Sequence, residues 1–287
     1  MLILFLRCMR NFSLNTWLLG LVLTVSVACQ RTFYPSPKLG KTTIAVNPAI
    51  TPDAQTEQTI SPYRAQVLKQ MEEVLGFAPE GLAKLPVESP VGNFVADLQR
   101  HQAQLLTGKP VDIGLMTGGG IRTPLRQGNI TMGDIFELMP FENELMVITV
   151  TAPVVKELLN YASQPHIYSI DKKVLSTGNV TYQIINNQPQ NILIGGLPLD
   201  SARTYTIALS DYLAKGGDNL DFIKNQVSSE KAGILLRDAI VKHIKELTAQ
   251  AKPIEAKIED RVILIAPETT TPPTSQPPVQ APKKTKK

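Results

Sequence analysis

The chain has 287 residues, 43% hydrophobic and 19% charged, with 29 lysines and arginines against 25 aspartates and glutamates and a formal net charge of +4. Four of the last five residues, Lys283, Lys284, Lys286 and Lys287, account for that excess, so the rest is near neutral and lacks the electrostatic footprint of a nucleic-acid binder. The apolar content suffices for a full core. The only cysteines, Cys8 and Cys29, sit near the N-terminus, which excludes a disulfide framework and a cysteine-based metal site further on.

In chain order, residues 1–29 read as an export signal. Arg7 and Arg10 precede an apolar run from Trp17 to Leu23, and Ser26-Val27-Ala28-Cys29 closes it. That end resembles the lipobox of bacterial lipoproteins, although Ser26 stands where an aliphatic residue is usual. The resemblance implies that Cys29 is lipidated and becomes the mature N-terminus, which makes the chain an exported, membrane-anchored lipoprotein of the bacterial cell envelope. The other reading is an uncleaved anchor. Residues 30–60, rich in Pro, Thr, Ser and Gln, predict a flexible tether, and residues 267–287 a disordered Pro/Thr/Lys-rich tail.

Between them, residues 61–266 predict one α/β (mixed α+β) domain. Ser61-Pro62 reads as an N-cap followed by proline at the first helical position, with Tyr63, Val67, Met71 and Val74 at helical spacing. A second helix is expected over about 91–106, with Asn93 and Asp97 on the face opposite its apolar stripe. The run from Val111 to Met116 is apolar and ends at three glycines. Residues 144–151 predict a strand and Thr151-Ala152-Pro153 opens a helix. Further strands are expected at 180–185, 191–194, 203–209 and 261–265, and a last helix over roughly 232–248.

Two glycine turns end apolar runs. Thr117-Gly118-Gly119-Gly120-Ile121-Arg122 sets an arginine beside a turn in which glycine tolerates positive φ and lets a ligand or a second backbone come close. Tyr212-Leu213-Ala214-Lys215-Gly216-Gly217-Asp218 sets an aromatic and a carboxylate beside another, and Phe141 lies just ahead of a strand. If they converge, two aromatic faces, a carboxylate and an arginine are the groups needed to stack a planar base, accept from ribose hydroxyls and pair with an anion. Taken singly, Phe141 and Tyr212 also fit simple packing, Asp218 a self-bonded turn, and Arg122 a surface position.

Residues 62–265 resemble the C-terminal domain of the 5'-nucleotidase family, the substrate-recognition half of secreted nucleotide hydrolases. Gly92-Asn93-Phe94-Val95-Ala96-Asp97 is similar to its G-N-L-x-A-D, Gly118-Gly119-Gly120-Ile121-Arg122 to its G-G-G-I-R, Pro140-Phe141-Glu142-Asn143 to its P-F-x-N, and Tyr212 to Asp218 to its [FY]-x-x-x-G-G-D. The resemblance implies layered sheets and helices, with Phe141 and Tyr212 sandwiching a nucleobase. Asp218 would accept from the ribose and Arg122 would contact the phosphate or ribose side, while Asn93, Gly119 and Gly120 complete the substrate-binding set. Two departures stand out: Thr117 replaces an asparagine frequent in the family, and the arginine common upstream of the G-N motif is not evident near Lys84.

In the two-domain enzymes, D-x-H, G-N-H-[DE] and G-H-x-H motifs of a separate metallophosphatase domain hold two divalent metal ions. None of these motifs is present here. His101, His166 and His243 read as surface or structural residues, so no metal ligand and no catalytic residue is expected in this chain. Two functions follow from the resemblance. One is the substrate-recognition part of a split 5'-nucleotidase acting in nucleotide catabolism, with AMP or a similar nucleotide as ligand and a metallophosphatase polypeptide supplying metals and catalysis. The other is a non-catalytic nucleoside- or nucleotide-binding lipoprotein. A scaffold whose pocket binds nothing is a third, bland reading.

Overall fold

The computed structural model describes residues 49–265, together with residues 43, 45 and 47. The signal segment, Cys29 and the lysine-rich tail lie outside the described residues. The chain divides into two units, Met1–Ala54 and Gln55–Lys287. The described part of the first includes a turn closed by the Ile50 N–H on the Asn47 carbonyl at 3.1 Å. The second carries the fold.

In chain order the elements are α1 (Ala54–Met71), β1 (Val74–Ala78), α2 (Pro90–Thr107), β2 (Ile113–Thr117), β3 (Gly128–Thr131) and α3 (Met132–Leu138). There follow β4 (Glu144–Thr151), α4 (Ala152–Ala162), the single turn α5 (Pro165–Tyr168), β5 (Leu175–Gly178), β6 (Val180–Ile185), β7 (Gln188–Ile194) and β8 (Leu197–Pro198). The last part holds β9 (Thr204–Ser210), α6 (Asp211–Ala214), 3-10 turns at Gly217–Asn219 and Asp221–Lys224, β10 (Ser228–Leu235), α7 (Leu236–Ala249) and β11 (Val262–Ile265).

A five-stranded sheet of order β10-β4-β9-β2-β5 forms the centre, flanked by a four-stranded sheet β11-β6-β7-β8 and a two-stranded pair β1-β3. Both faces of the central sheet are covered, and its sequence shows why. Consecutive side chains on a strand point to opposite faces, so a strand covered on both sides needs an unbroken apolar run. In β4, Leu145 and Val147 pack with Phe94, Leu98, Leu138 and Ile240 from α2, α3 and α7. Ile148 and Val150 pack with Leu158, Tyr182 and Ile207 on the other side. Burial of that kind stabilises by roughly 1.5–3 kcal/mol per large apolar side chain.

Helix α2 runs as its sequence predicts. Ser89 caps it by accepting from the Gly92 N–H, Pro90 occupies its first turn, and Gly108 ends it at φ +67°. Two other helices begin elsewhere than expected. α1 starts at Ala54, inside the segment read as tether, and Pro62 is interior to it rather than at its start. No residue of α1 is buried, and Tyr63 and Val67 are exposed. Water can therefore solvate the carbonyl that proline leaves without a donor. Val74, expected on that helical stripe, instead opens β1.

α7 starts at Leu236, because residues 232–235 finish β10, where Leu235 stands opposite Glu144. Ala232 and Ile234 alternate toward the core as strand residues do. Leu235 makes no side-chain cap, so the sequence carries no start signal at that boundary.

Candidate functional site

The topology brings four segments to one end of the central sheet. β2 and β9 run parallel, with Ile113 opposite Ile207, so the triple glycine and the Asp211–Asp218 segment leave the sheet at the same end. β4 is antiparallel to β9, with Leu145 opposite Ser210, so Pro140-Phe141-Glu142-Asn143 enters there. β5 is antiparallel to β2, with Leu175 opposite Thr117, which adds Asp171 and Lys172. The carboxyl ends of parallel strands are where open α/β sheets bind ligands.

None of the three turn glycines has a positive φ. Gly118 and Gly120 are needed for room. A Cβ on Gly118 would lie 2.0 Å from the Asp171 carbonyl oxygen and one on Gly120 2.2 Å from Cε of Met116. On Gly119 it would stand 3.5 Å from Oδ2 of Asp218, so the two glycine turns meet. Thr117 joins them: its hydroxyl donates to Oδ2 of Asp218 at 2.6 Å.

The other carboxylate oxygen of Asp218 accepts from the Tyr212 hydroxyl at 3.0 Å, and the Asp218 N–H donates back to that hydroxyl at 3.2 Å. Tyr212 lies against the backbone of Gly217, where a Cβ would come within 2.4 Å of its ring. Asp218 itself has φ +54°, a left-handed conformation that aspartate tolerates better than most residues. Tyr161, from α4, donates to the Asp218 carbonyl at 2.9 Å. Burial raises the Tyr161 phenol pKa, a hydrogen bond with Asn219 opposes this and the Asp218 charge adds to it, which keeps the phenol a donor. A carboxylate offers about four lone-pair positions, so Asp218 keeps acceptor capacity beyond its two hydroxyl partners.

Arg122 and Phe141 form the second pair. The Arg122 N–H bonds the carbonyl of Leu138 at the end of α3, which fixes it beside the segment carrying Phe141. Its guanidinium carbon stands 5.9 Å from the Phe141 ring centroid, within cation–π range. Phe141 is 37% exposed and Tyr212 49% exposed, so neither ring is spent on the core. Next to Arg122 in the chain, the Ile121 carbonyl accepts from Lys84 at 2.7 Å. Burial lowers the Lys84 ammonium pKa, Asp171 opposes that shift, and the charges of Arg122 and Lys172 add to it. Lys84 is therefore electrostatically coupled to Arg122 and supplies a second cation in the region where no upstream arginine is evident. A lysine in place of an arginine gives no motif to match.

Asn93 is a correction. It is 2% exposed, and its amide donates to Oε1 of Glu88 at 2.7 Å and to the Lys257 carbonyl at 3.0 Å. Its donors are committed to holding chain segments together, so it does not face a ligand. Glu88, 7% exposed, also accepts from the backbone N–H groups of Glu259 and Arg261 at 2.8 and 2.9 Å. Arg261 in turn forks onto Asp97. Burial opposes the rise in the Arg261 pKa, and the hydrogen bonds and charges of Asp97 and Glu259 outweigh it. Gly119 and Gly120 do lie at the sheet end, half-buried.

The residues gathered at the sheet end include no histidine, so they do not fit a two-metal phosphatase centre. His101 and His243, distant in sequence, come together elsewhere, on α2 and α7, with ring centroids 5.6 Å apart.

Exposed aromatic rings, a hydrogen-bonded carboxylate and basic side chains gathered at the carboxyl ends of parallel strands are the kinds of group that small-molecule sites use. The chain belongs to the 5'-nucleotidase C-terminal domain family, whose model matches residues 74–225. It is similar to the trifunctional nucleotide phosphoesterase protein YfkN of Bacillus subtilis (strain 168), 24% identical over 61% of this chain and 12% of that protein. It is also similar to the apyrase of Tabanus yao, 27% identical over 61% of this chain and 34% of the other, and to protein UshA of Salmonella pullorum, 30% identical over 50% and 25%. The chain thus spans about a third or less of these relatives' lengths. Among solved structures, the 5'-nucleotidase precursor of Thermus thermophilus shares the fold with a TM-score of 0.61 at 23% identity, over 74% of this chain and 43% of that one.

Proposed function

We propose that this chain recognises the nucleoside part of a nucleotide in an exported 5'-nucleotidase system. Phe141 and Tyr212 stack the base, Asp218 accepts from the ribose hydroxyls, and Arg122 with Lys84 draws the phosphate. A metallophosphatase polypeptide supplies the two divalent metals and the hydrolytic step, and the lipid on Cys29 holds the chain at the membrane. The observation that carries the reading is the Thr117–Asp218–Tyr212 hydrogen-bond set, which ties one exposed ring to an acceptor with spare lone pairs. Membership of the family and the relatives' names support the ligand class.

The test is calorimetry of the whole chain with AMP and with adenosine, repeated on Asp218→Asn, which keeps a residue type tolerant of the left-handed backbone. Saturable binding that weakens at least tenfold in the variant is expected. Failure of the parent to bind either compound removes the reading. Phosphate release from AMP is expected only after the metallophosphatase is added, and release by the chain alone would overturn the division of labour.

A further inference from the structure

His101 on α2 and His243 and Glu246 on α7 each present a donor atom, and the three atoms lie within 4.8 Å of one another. Nδ1 of His243 is buried and has no hydrogen-bond partner, which is costly for a polar atom unless something else satisfies it. It stands 3.9 Å from Oε2 of Glu246. Glu246 is held from the other side: its Oε1 accepts from Lys242 at 2.6 Å, and its Oε2 from Gln102 Nε2 at 2.6 Å. Gln102 and Lys242 also bond each other at 2.9 Å. That is the outer-sphere arrangement that orients a ligating carboxylate.

We propose that His101, His243 and Glu246 form a binding site for one divalent transition-metal ion, Zn2+ by its donor set, which clamps α2 to α7. Two imidazoles and one carboxylate match the ligands of that ion, with a fourth position left for water or a further ligand. Tetrahedral coordination at about 2.0–2.2 Å needs the donors to close inward, by rotation of the exposed His101 and the half-buried Glu246 side chains. Both histidines also line a cavity of about 610 Å³ with Asp97, Arg100, Glu259 and Arg261, which gives the ion a way in. Burial, then the adjacent His101, lowers the His243 pKa against the opposing charge of Glu246, which favours the neutral form that ligates. None of the residues at the glycine turns lines that cavity, so the site stands or falls independently of the nucleotide reading.

The experiment is titration of chelator-treated full-length chain with Zn2+, followed by calorimetry and by the thermal midpoint. Variants His101→Gln, Glu246→Gln and, as a control, His166→Gln are treated identically, with circular dichroism to verify folding. The parent and His166→Gln are expected to bind one tight equivalent and to melt at a higher temperature with Zn2+. His101→Gln, an exposed change, is expected to lose affinity by more than the roughly 10- to 100-fold typical of residues that merely orient a ligand, and to lose the thermal shift. Glu246→Gln should weaken binding in the same direction. The thiols are unchanged in every variant and His166 is unchanged in His101→Gln and Glu246→Gln, so their contribution cancels in the comparison with the parent, and the His166→Gln control reads that of His166. Equal Zn2+ binding by the parent and a folded His101→Gln, or no binding by the parent, overturns the proposal.

Discussion

The G-N motif at the start of α2 and the two glycine turns at the sheet end match one family equally well, yet the fold uses them in opposite ways. At the first, Gly92 packs so closely that a Cβ would fall 1.9 Å from Oγ of Ser176. Asn93 is sealed against Glu88 and Asp97 is forked by Arg261. Asn93 and Glu88 are buried and paired, and Asp97, though half-exposed, is paired too. At the turns, Arg122, Phe141 and Tyr212 are exposed, and the half-buried Asp218 is bonded by groups that leave it acceptor capacity. Motif membership alone therefore does not identify a ligand contact. Burial and the balance of donors and acceptors do.

The largest expected effect breaks the inward half. Replacing Glu88 by Ala takes one of two acceptors from the Asn93 amide and strands two backbone N–H groups, and unmade buried hydrogen bonds cost about 1–3 kcal/mol each. A loss of roughly 3–5 kcal/mol is expected in chemical denaturation, and a change smaller than about 1 kcal/mol would falsify a structural role for these Glu88 hydrogen bonds.

The outward half is sharpened by Phe141→Ala and Tyr212→Ala. Truncating a stacking ring costs about 1–3 kcal/mol per base, so AMP affinity is expected to drop roughly 5- to 150-fold. Both rings are exposed, and the thermal midpoint should hardly move. Unchanged affinity with a lowered midpoint would reverse the assignment.

Thr117→Val probes the join between the turns at nearly constant volume. Removing one hydroxyl bond to the Asp218 carboxylate is expected to weaken nucleoside binding by about fivefold, equivalent to ~1 kcal/mol. Calorimetry would count against the join if the variant bound as the parent does.

The smallest effect lies in neither half and serves as a baseline. Burial raises the Asp134 pKa, but hydrogen bonds from Arg126 and from the Thr131 backbone and side chain outweigh it, so the net shift is downward. Its stabilisation is therefore complete above the ordinary aspartate pKa of about 3.9 and is lost as the pH falls through the lower folded value. Asp134→Asn is expected to cost about 1 kcal/mol at about pH 7, mainly through the capping box with Thr131, since Arg126 is half-exposed and its ion pair adds little. The parent and the variant should converge toward about pH 2. A difference that persists there would contradict the sign.

How much of this is legible in the sequence depends on range. The strand at 144–151, the helix expected over about 91–106 and the order of the turns follow from local chemistry and are where expected. The strand end at Leu235 escapes a sequence reading because no cap marks the helix that follows it; the helix start at Ala54 follows Pro52 and the cap-type residue Asp53, but Ser61-Pro62 offers the same kind of signal further on. At the site, motifs point to Arg122, Phe141, Tyr212 and Asp218, and the pairing of β2 and β4 with β9 brings the segments that carry them to one end of the sheet. Thr117 stands out in the sequence only as a departure, since nothing local says that its hydroxyl reaches Asp218. Lys84 carries no signal, for lack of a guanidinium. His101 and His243 have no ligand spacing, because helix packing, not sequence, brings them together.

The hydroxyls of Thr117 and Tyr212 have one more consequence. A bare carboxylate at the mouth of this site would repel an incoming phosphate ester as readily as it welcomed a sugar. Two hydroxyl dipoles pointed at Asp218 blunt its field before any ligand arrives. Sugar hydroxyls in the proposed complex exchange places with, or join, partners already present, so entry meets less repulsion and departure leaves no orphaned charge.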